Sequence, residues 1–232
     1  MSYKIFPFGD GALTVDFGNE IAFKLNDRVL KLARYFDENI FEGFVEIVPA
    51  YSSLTVFYDV FKVRKNFPEF STAFEAVKSF IENALENLAE LQIPELRLIE
   101  IPVCFDKEFA LDLDFLANQV NLTNQEVIEI FLGKTYRVFM LGFLPGFSYM
   151  GIVGKKIAIS RKQTPRTKVP AGSVGIAGPQ TGIYSLESPG GWQIIGRTPI
   201  RLFTPEAGKP TFLSAGDSVK FYKIDKRDFI AD

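Results

Sequence analysis

The sequence predicts a molecule in two parts, an α+β domain over residues 1–93 with helices on one face of an antiparallel sheet, then an all-β domain over residues 94–232 that closes, or nearly closes, into a barrel. Three observations predict it. Toward the N-terminus, apolar residues recur at a spacing of two in some segments and of three to four in others, the periods of strand and helix. After Thr135 the helical period is lost, and short apolar segments are punctuated by glycine and proline. A length of 232 residues is enough for two separate cores.

Tyr3–Phe8 and Ala12–Phe17 read as strands around Gly9-Asp10-Gly11, where glycine supplies the positive φ that a tight hairpin needs. Ile21–Asp37 places Val29, Leu32, Ala33 and Phe36 at helical spacing. Phe44–Pro49 and Ser53–Tyr58 form a second strand pair about a short turn. Ser71 is read as the cap of a helix running to about Glu90, with a stripe of Phe74, Val77, Ile81, Leu85 and Leu88. A strand over Leu96–Val103 completes the order ββαββαβ, and the domain boundary is expected near Ile93–Leu96. Thr123-Asn-Gln-Glu126 is a capping-box pattern that opens a helix ending near Gly133. Barrel strands are then expected at Tyr136–Leu141, Ile157–Ile159, Ser173–Ala177, Gly182–Leu186, Trp192–Arg197, Thr211–Leu213 and Ser218–Tyr222.

Composition excludes several functions. The formal charge is −2, and no stripe of Lys and Arg interleaves with aromatics, so no nucleic-acid partner is expected. The apolar runs are far shorter than the roughly 20 residues of a membrane helix, and the N-terminus lacks the pattern of a secretory signal. A cytoplasmic protein is expected. Histidine is absent, which rules out Ser-His-Asp and Cys-His catalysis within this chain and leaves a poor donor set for a transition metal. No metal site is expected. The single cysteine, Cys104, lies in the apolar run LIEIPVCF and reads as a buried thiol.

Seven of the 18 glycines fall between Gly172 and Gly196, inside the stretch PRTKVPAGSVGIAGPQTGIYSLESPGGWQIIGRTP. Clustered glycine in strand-like sequence marks either barrel corners and bulges or a surface where backbone approaches a ligand. On the second reading Ser173, Gln180, Thr181, Tyr184, Ser188 and Gln193 line a small polar site, and Arg166 and Arg197 grip a carboxylate or phosphate. Ala171-Gly172-Ser173-Val174-Gly175 is no nucleophile elbow, because it leads into no helix and no histidine can activate the serine. Gly154-Lys155-Lys156 lacks the rest of a phosphate-binding loop. Gly142–Tyr149, an aromatic–Gly–Pro segment, fits core packing about as well as an apolar ligand wall. No catalytic residue is assigned.

Tyr136-Arg137-Val138, LGFLPGFSYMG and the Pro165–Pro199 stretch resemble the KipI family, also called the allophanate hydrolase subunit 1 family, which includes the B component of the multi-subunit bacterial 5-oxoprolinase. Weaker similarity extends through FGDGALTVDFG, VPAYSSLTVFYD and IPVCFDKEFALDLDFLA. The resemblance implies a cyclophilin-like β barrel in the C-terminal half. It implies work with two partner proteins, a KipA-like C component and a LamB/YcsF-like A component, in which ATP drives opening of the 5-oxoproline lactam to glutamate. Arg166 and Arg197 would then hold the substrate carboxylate or a phosphoryl oxygen, Ser173, Gln180, Thr181 and Tyr184 would orient the amide, and Ser188–Trp192 would give backbone donors and a wall. The alternative within the family is a regulatory protein that inhibits a sensor histidine kinase. The sequence departs from the family at Phe131, where relatives commonly carry histidine.

Overall fold

In the computed structural model, residues 2–91 and 96–230 are described, and they form two compact units, Met1–Glu95 and Leu96–Asp232. The expected boundary falls largely on residues 93–95, outside the described residues.

The first unit is a four-stranded antiparallel sheet of order β1-β2-β4-β3, made from β1 (Lys4–Pro7), β2 (Ala12–Asp16), β3 (Phe44–Pro49) and β4 (Ser53–Tyr58). Leu13, Val15, Leu54, Val56 and Tyr58, spaced by two along their strands, share one core with Val29, Leu32 and Phe36 of α1 (Phe23–Glu38). Helix α3 (Ala73–Glu86) adds Val77 and Ile81 to that core. Burying a side chain of this size contributes about 1.5–3 kcal/mol, so the strand and helix periods together dictate how these elements pack. Three details differ from the sequence reading. The cap of α3 is Thr72, whose hydroxyl accepts the Glu75 N–H, rather than Ser71, and the helix ends at Glu86. A further helix, α2 (Val60–Asn66), follows Asp59, whose carboxylate accepts the Lys62 N–H. The strand expected at Leu96–Val103 is β5 (Leu98–Cys104), which belongs to the barrel.

The second unit is a closed barrel of seven strands in the order β10-β7-β6-β13-β5-β12-β9. Its members are β5, β6 (Thr135–Leu141), β7 (Ser148–Gly151), β9 (Ser173–Ala177), β10 (Gln180–Ile183), β12 (Gln193–Arg197) and β13 (Ser218–Ile224). A two-stranded sheet of β8 (Arg166–Val169) and β11 (Ser188–Gly190) lies beside it. β5 and β13 pair in parallel over seven register positions, Ser218 opposite Leu98 through Ile224 opposite Cys104. Two helices accompany the barrel, α4 (Leu113–Gln119) and α5 (Asn124–Leu132), and a short α6 (Lys226–Ile230) follows β13. The Thr123–Glu126 capping box forms as its spacing requires, the Thr123 hydroxyl accepting the Glu126 N–H at 3.2 Å while Glu126 accepts the Thr123 N–H at 2.7 Å.

Elsewhere the barrel reading changes. Lys155–Ile157 is a 3₁₀ turn that buries Ile157, where a strand was expected. Thr211 contributes a lone bridge to Phe203 rather than a strand. Phe131 is fully buried, its ring 5.0 Å from Phe221 and 5.1 Å from Tyr136, and its carbonyl accepts the Tyr136 hydroxyl. Phe131 is therefore part of the core of the barrel unit. Cys104 is buried, and burial pushes its thiol up from the ordinary value.

Candidate ligand-binding site

The loop from β6 to β7 makes a tight reversal, closed by the Gly142 N–H on the Phe147 carbonyl at 3.2 Å and the Phe147 N–H on the Leu144 carbonyl at 3.0 Å. Ser185 pins it from outside by donating to the Pro145 carbonyl at 2.6 Å. Phe143, at the tip, adopts a φ of 67°, rare for a bulky residue, and is 62% exposed. Phe147 turns inward to become the hub of an edge-to-face aromatic cluster, 4.8 Å from Tyr149, 5.2 Å from Tyr184, 5.5 Å from Trp192 and 5.6 Å from Phe143. These rings, with Leu144, Arg161, Pro165 and the segment from Ser188 to Trp192, line a cavity of about 400 Å³. That size suits a small molecule.

Glycine lets the cluster close. A β-carbon on Gly190 would strike the Tyr184 hydroxyl, and one on Gly182 would lie 2.7 Å from the Ser148 carbonyl and 3.0 Å from the Phe147 ring. Burial raises the Tyr184 phenol, opposed by a hydrogen bond from the Trp192 backbone. Burial likewise raises Tyr149, with Arg161 pulling the other way. Both therefore stay protonated at neutral pH and remain able to donate.

The segment that carries Arg161 and Pro165 is held by charge. Asp112, just ahead of α4 and only 3% exposed, receives the Arg166 guanidinium on both oxygens at 2.7 Å, the Lys162 ammonium at 3.0 Å and the Ile194 N–H at 2.7 Å. Its own N–H donates to the Ile194 carbonyl at 2.8 Å. Desolvation pushes this carboxyl up, but the hydrogen bonds from Arg166, Ile194 and Lys162 outweigh it and hold the group below its ordinary value. The Lys162 N–H reaches the Gly191 carbonyl at 2.7 Å. Residues 162 and 166 thus face Asp112, while Arg161 and Pro165 from the same segment face the cavity.

Of the residues the sequence singled out, Tyr184, Ser188 and Trp192 meet in this cavity. Arg166 does not line it, because its planar fork is committed to Asp112. Arg197 lines a different cavity of about 420 Å³. Thr181 is fully buried and donates to the Gly175 carbonyl at 2.9 Å, and Ser173 is buried within β9. Gln180 sits half-buried at the start of β10, opposite Gly151 and Ala177. Gln193 is buried with its amide nitrogen on the Ser160 carbonyl at 3.1 Å. Arg161 was not foreseen. Nothing in the run SRKQTPR distinguishes it from Lys162 and Arg166, since only the distant Asp112 decides which cations are neutralised.

Gly154-Lys155-Lys156 is no phosphate cradle, because Gly154 packs toward Ile130 and the turn buries Ile157. Among the described residues no group of His, Cys, Asp or Glu is arranged to hold a metal ion, and no helix is long and apolar enough to cross a membrane.

Residues 3–213 match the family model of the carboxyltransferase domain, subdomain C and D. The chain is 47% identical over 230 residues to the B component of the 5-oxoprolinase of Bacillus subtilis (strain 168), covering 99% of this chain and 96% of that one. It is 36% identical to the B component of the 5-oxoprolinase of Escherichia coli O157:H7, covering 94% of each. The crystal structure of TTHA0988 matches with a TM-score of 0.77 at 32% identity, covering 92% of this chain and 40% of that chain. This chain therefore spans less than half of that protein.

Proposed function

This chain belongs to the family of the carboxyltransferase domain, subdomain C and D, and from that premise we propose that it is the B component of a 5-oxoprolinase, which opens the lactam of 5-oxoproline to glutamate together with the A and C components in the cytoplasm. The observation that carries the reading is an identity of 47% and 36% to two proteins of that name over nearly the whole chain, joined to an aromatic cavity large enough to admit the substrate, with one arginine in its wall.

5-Oxoproline is a five-membered ring with two apolar methylene carbons, an amide and a carboxylate. The methylenes suit the faces and edges of Phe147, Tyr149 and Trp192, which exclude water from them. Arg161 suits the carboxylate as a bidentate partner, and the neutral Tyr184 hydroxyl suits the lactam oxygen as a donor. Ring opening adds one water across the C–N bond, and ATP supplies the free energy when the assembled complex binds it. The part of this chain is to hold and orient the ring while the partner proteins complete the site.

The test is reconstitution. The three purified components release ADP only when 5-oxoproline is present, and this chain by itself does not. Arg161→Ala in the complex raises KM for 5-oxoproline about tenfold or more, the scale of one lost charge-assisted hydrogen bond. Trp192→Phe, which keeps an aromatic wall, stays near the parent. Unchanged KM in Arg161→Ala rejects the site, and ADP release indifferent to 5-oxoproline rejects the function.

A further inference from the structure

The second cavity of the barrel unit has different chemistry. It measures about 420 Å³, and its lining includes two arginines, Arg197 and Arg201, with the hydroxyl residues Ser185 and Thr198 and the ring of Phe229. Among the described residues, no aspartate or glutamate lines it. The same barrel unit pairs Arg97 with Asp217 and Arg166 with Asp112, so two guanidiniums in one cavity without a carboxylate among its described walls stand out. Like charges sharing a concavity repel each other, and an anion between them turns that repulsion into attraction.

The arrangement is built rather than incidental. Arg197 is half-buried in β12, its Nε donates to the Ala171 carbonyl at 2.7 Å, and its guanidinium lies 5.5 Å from the Phe229 ring centre. Its two terminal nitrogens are thereby aimed, and among the described residues no carboxylate takes them up. Phe229 is held in turn by a tilted ring contact with Phe109 at 4.3 Å and by the ion pair of Lys226 with Glu108 at 2.6 Å, which joins α6 to the turn before α4. Gly172, at a φ of 82°, lets the backbone meet the Thr198 carbonyl at a separation no β-carbon permits, and this brings the 171–172 turn against the base of Arg197. Arg201 stands exposed at the rim, its guanidinium open to an incoming ligand.

We propose that this cavity is an anion site for a phosphate group, gripped by Arg197 from within and Arg201 from the rim, and separate from the aromatic cavity. Phosphate suits it better than a carboxylate because its oxygens, spread over a tetrahedron, can engage two planar guanidinium forks at once. The phosphate has two sources of one chemistry, the polyphosphate chain of a nucleotide or free inorganic phosphate. The assignment rests on the cavity alone and does not depend on the 5-oxoproline reading.

Calorimetric titration of the purified full chain with ATP, ADP, inorganic phosphate and L-glutamate tests it, in low-salt buffer free of phosphate. The expected result is saturable binding of at least one phosphate ligand, weakened about tenfold or more by Arg201→Ala and retained by Lys24→Ala, which removes an equal charge from the other unit. Arg201 is exposed, so its loss leaves folding intact; Arg197→Lys, which keeps the charge and gives up the fork, also weakens binding. Binding of ATP and ADP without inorganic phosphate identifies a nucleotide site, and comparable binding of all three identifies a free-phosphate site; either supports the proposal. It is overturned if no phosphate ligand binds saturably, if Arg201→Ala binds as the parent does, or if L-glutamate binds as tightly as the phosphates.

Discussion

The barrel unit treats its arginines in two opposite ways. At Asp112 a buried carboxylate gathers Arg166, Lys162 and the Ile194 N–H into one knot, with both of its oxygens engaged. Around Arg197 and Arg201 the described cavity walls supply hydroxyls, an aromatic ring and backbone carbonyl contacts, but no carboxylate. The difference teaches that an arginine's role follows from whether a carboxylate reaches it through the fold. Arg166 is a fastener that ties its segment to Asp112, whereas Arg197 lines a cavity in which no described residue offers a carboxylate.

The strongest way to break this contrast is Asp112→Ala. Removing the carboxylate strands two cations and a buried N–H, a loss of about 3–5 kcal/mol for a broken buried pair. Urea unfolding of the isolated chain measures it as a fall in midpoint. Arg166→Lys tests the fork itself: the charge stays, one of two parallel hydrogen bonds goes, and stability falls by about 1–2 kcal/mol in the same experiment. Acid sharpens the contrast further. Because the folded-state Asp112 carboxyl is held below its ordinary value, the stability it adds is fully present above the unfolded-state value near 4 and is lost as pH falls through the lower folded-state value. In Asp112→Asn that part of the acid sensitivity disappears, which unfolding midpoints at pH 7 and in mild acid detect. The smallest effect belongs to Arg201→Ala, whose stability matches the parent within about 0.5 kcal/mol, since an exposed side chain with no carboxylate partner among the described residues contributes little to folding.

How far these features were legible in the sequence depends on the range of the interaction that makes them. Strands β3, β4 and β9 fall where alternation places them, and α5 starts where Thr123 and Glu126 are spaced to cap it, because these signals lie within a few residues. Helices α2 and α4 escaped, being seven residues each and too short to display a repeat of 3.6. β7 lies directly after a Gly–Pro loop that reads as a turn, and its pairing comes from β6 and β10 on either side.

In the site, Trp192 and Tyr184 were visible as rings embedded among glycines, and the glycines themselves prove to be points of close approach, as at Gly190 beneath the Tyr184 hydroxyl. The contrast between Arg161 and Arg166 was invisible. Both look alike in the chain, and the carboxylate that separates them lies 54 residues from Arg166.

The parallel ladder between β5 and β13 also has a consequence for how the molecule is made. β5 is the first strand of its unit to leave the ribosome and β13 the last, so the seam joining them waits until nearly the whole unit has been synthesised. Until then β5 presents unpaired backbone N–H and C=O groups along that side, a template on which another nascent copy can add a strand. A chain stopped short of Ser218 stays in that condition permanently, and its fate is aggregation rather than a smaller working domain.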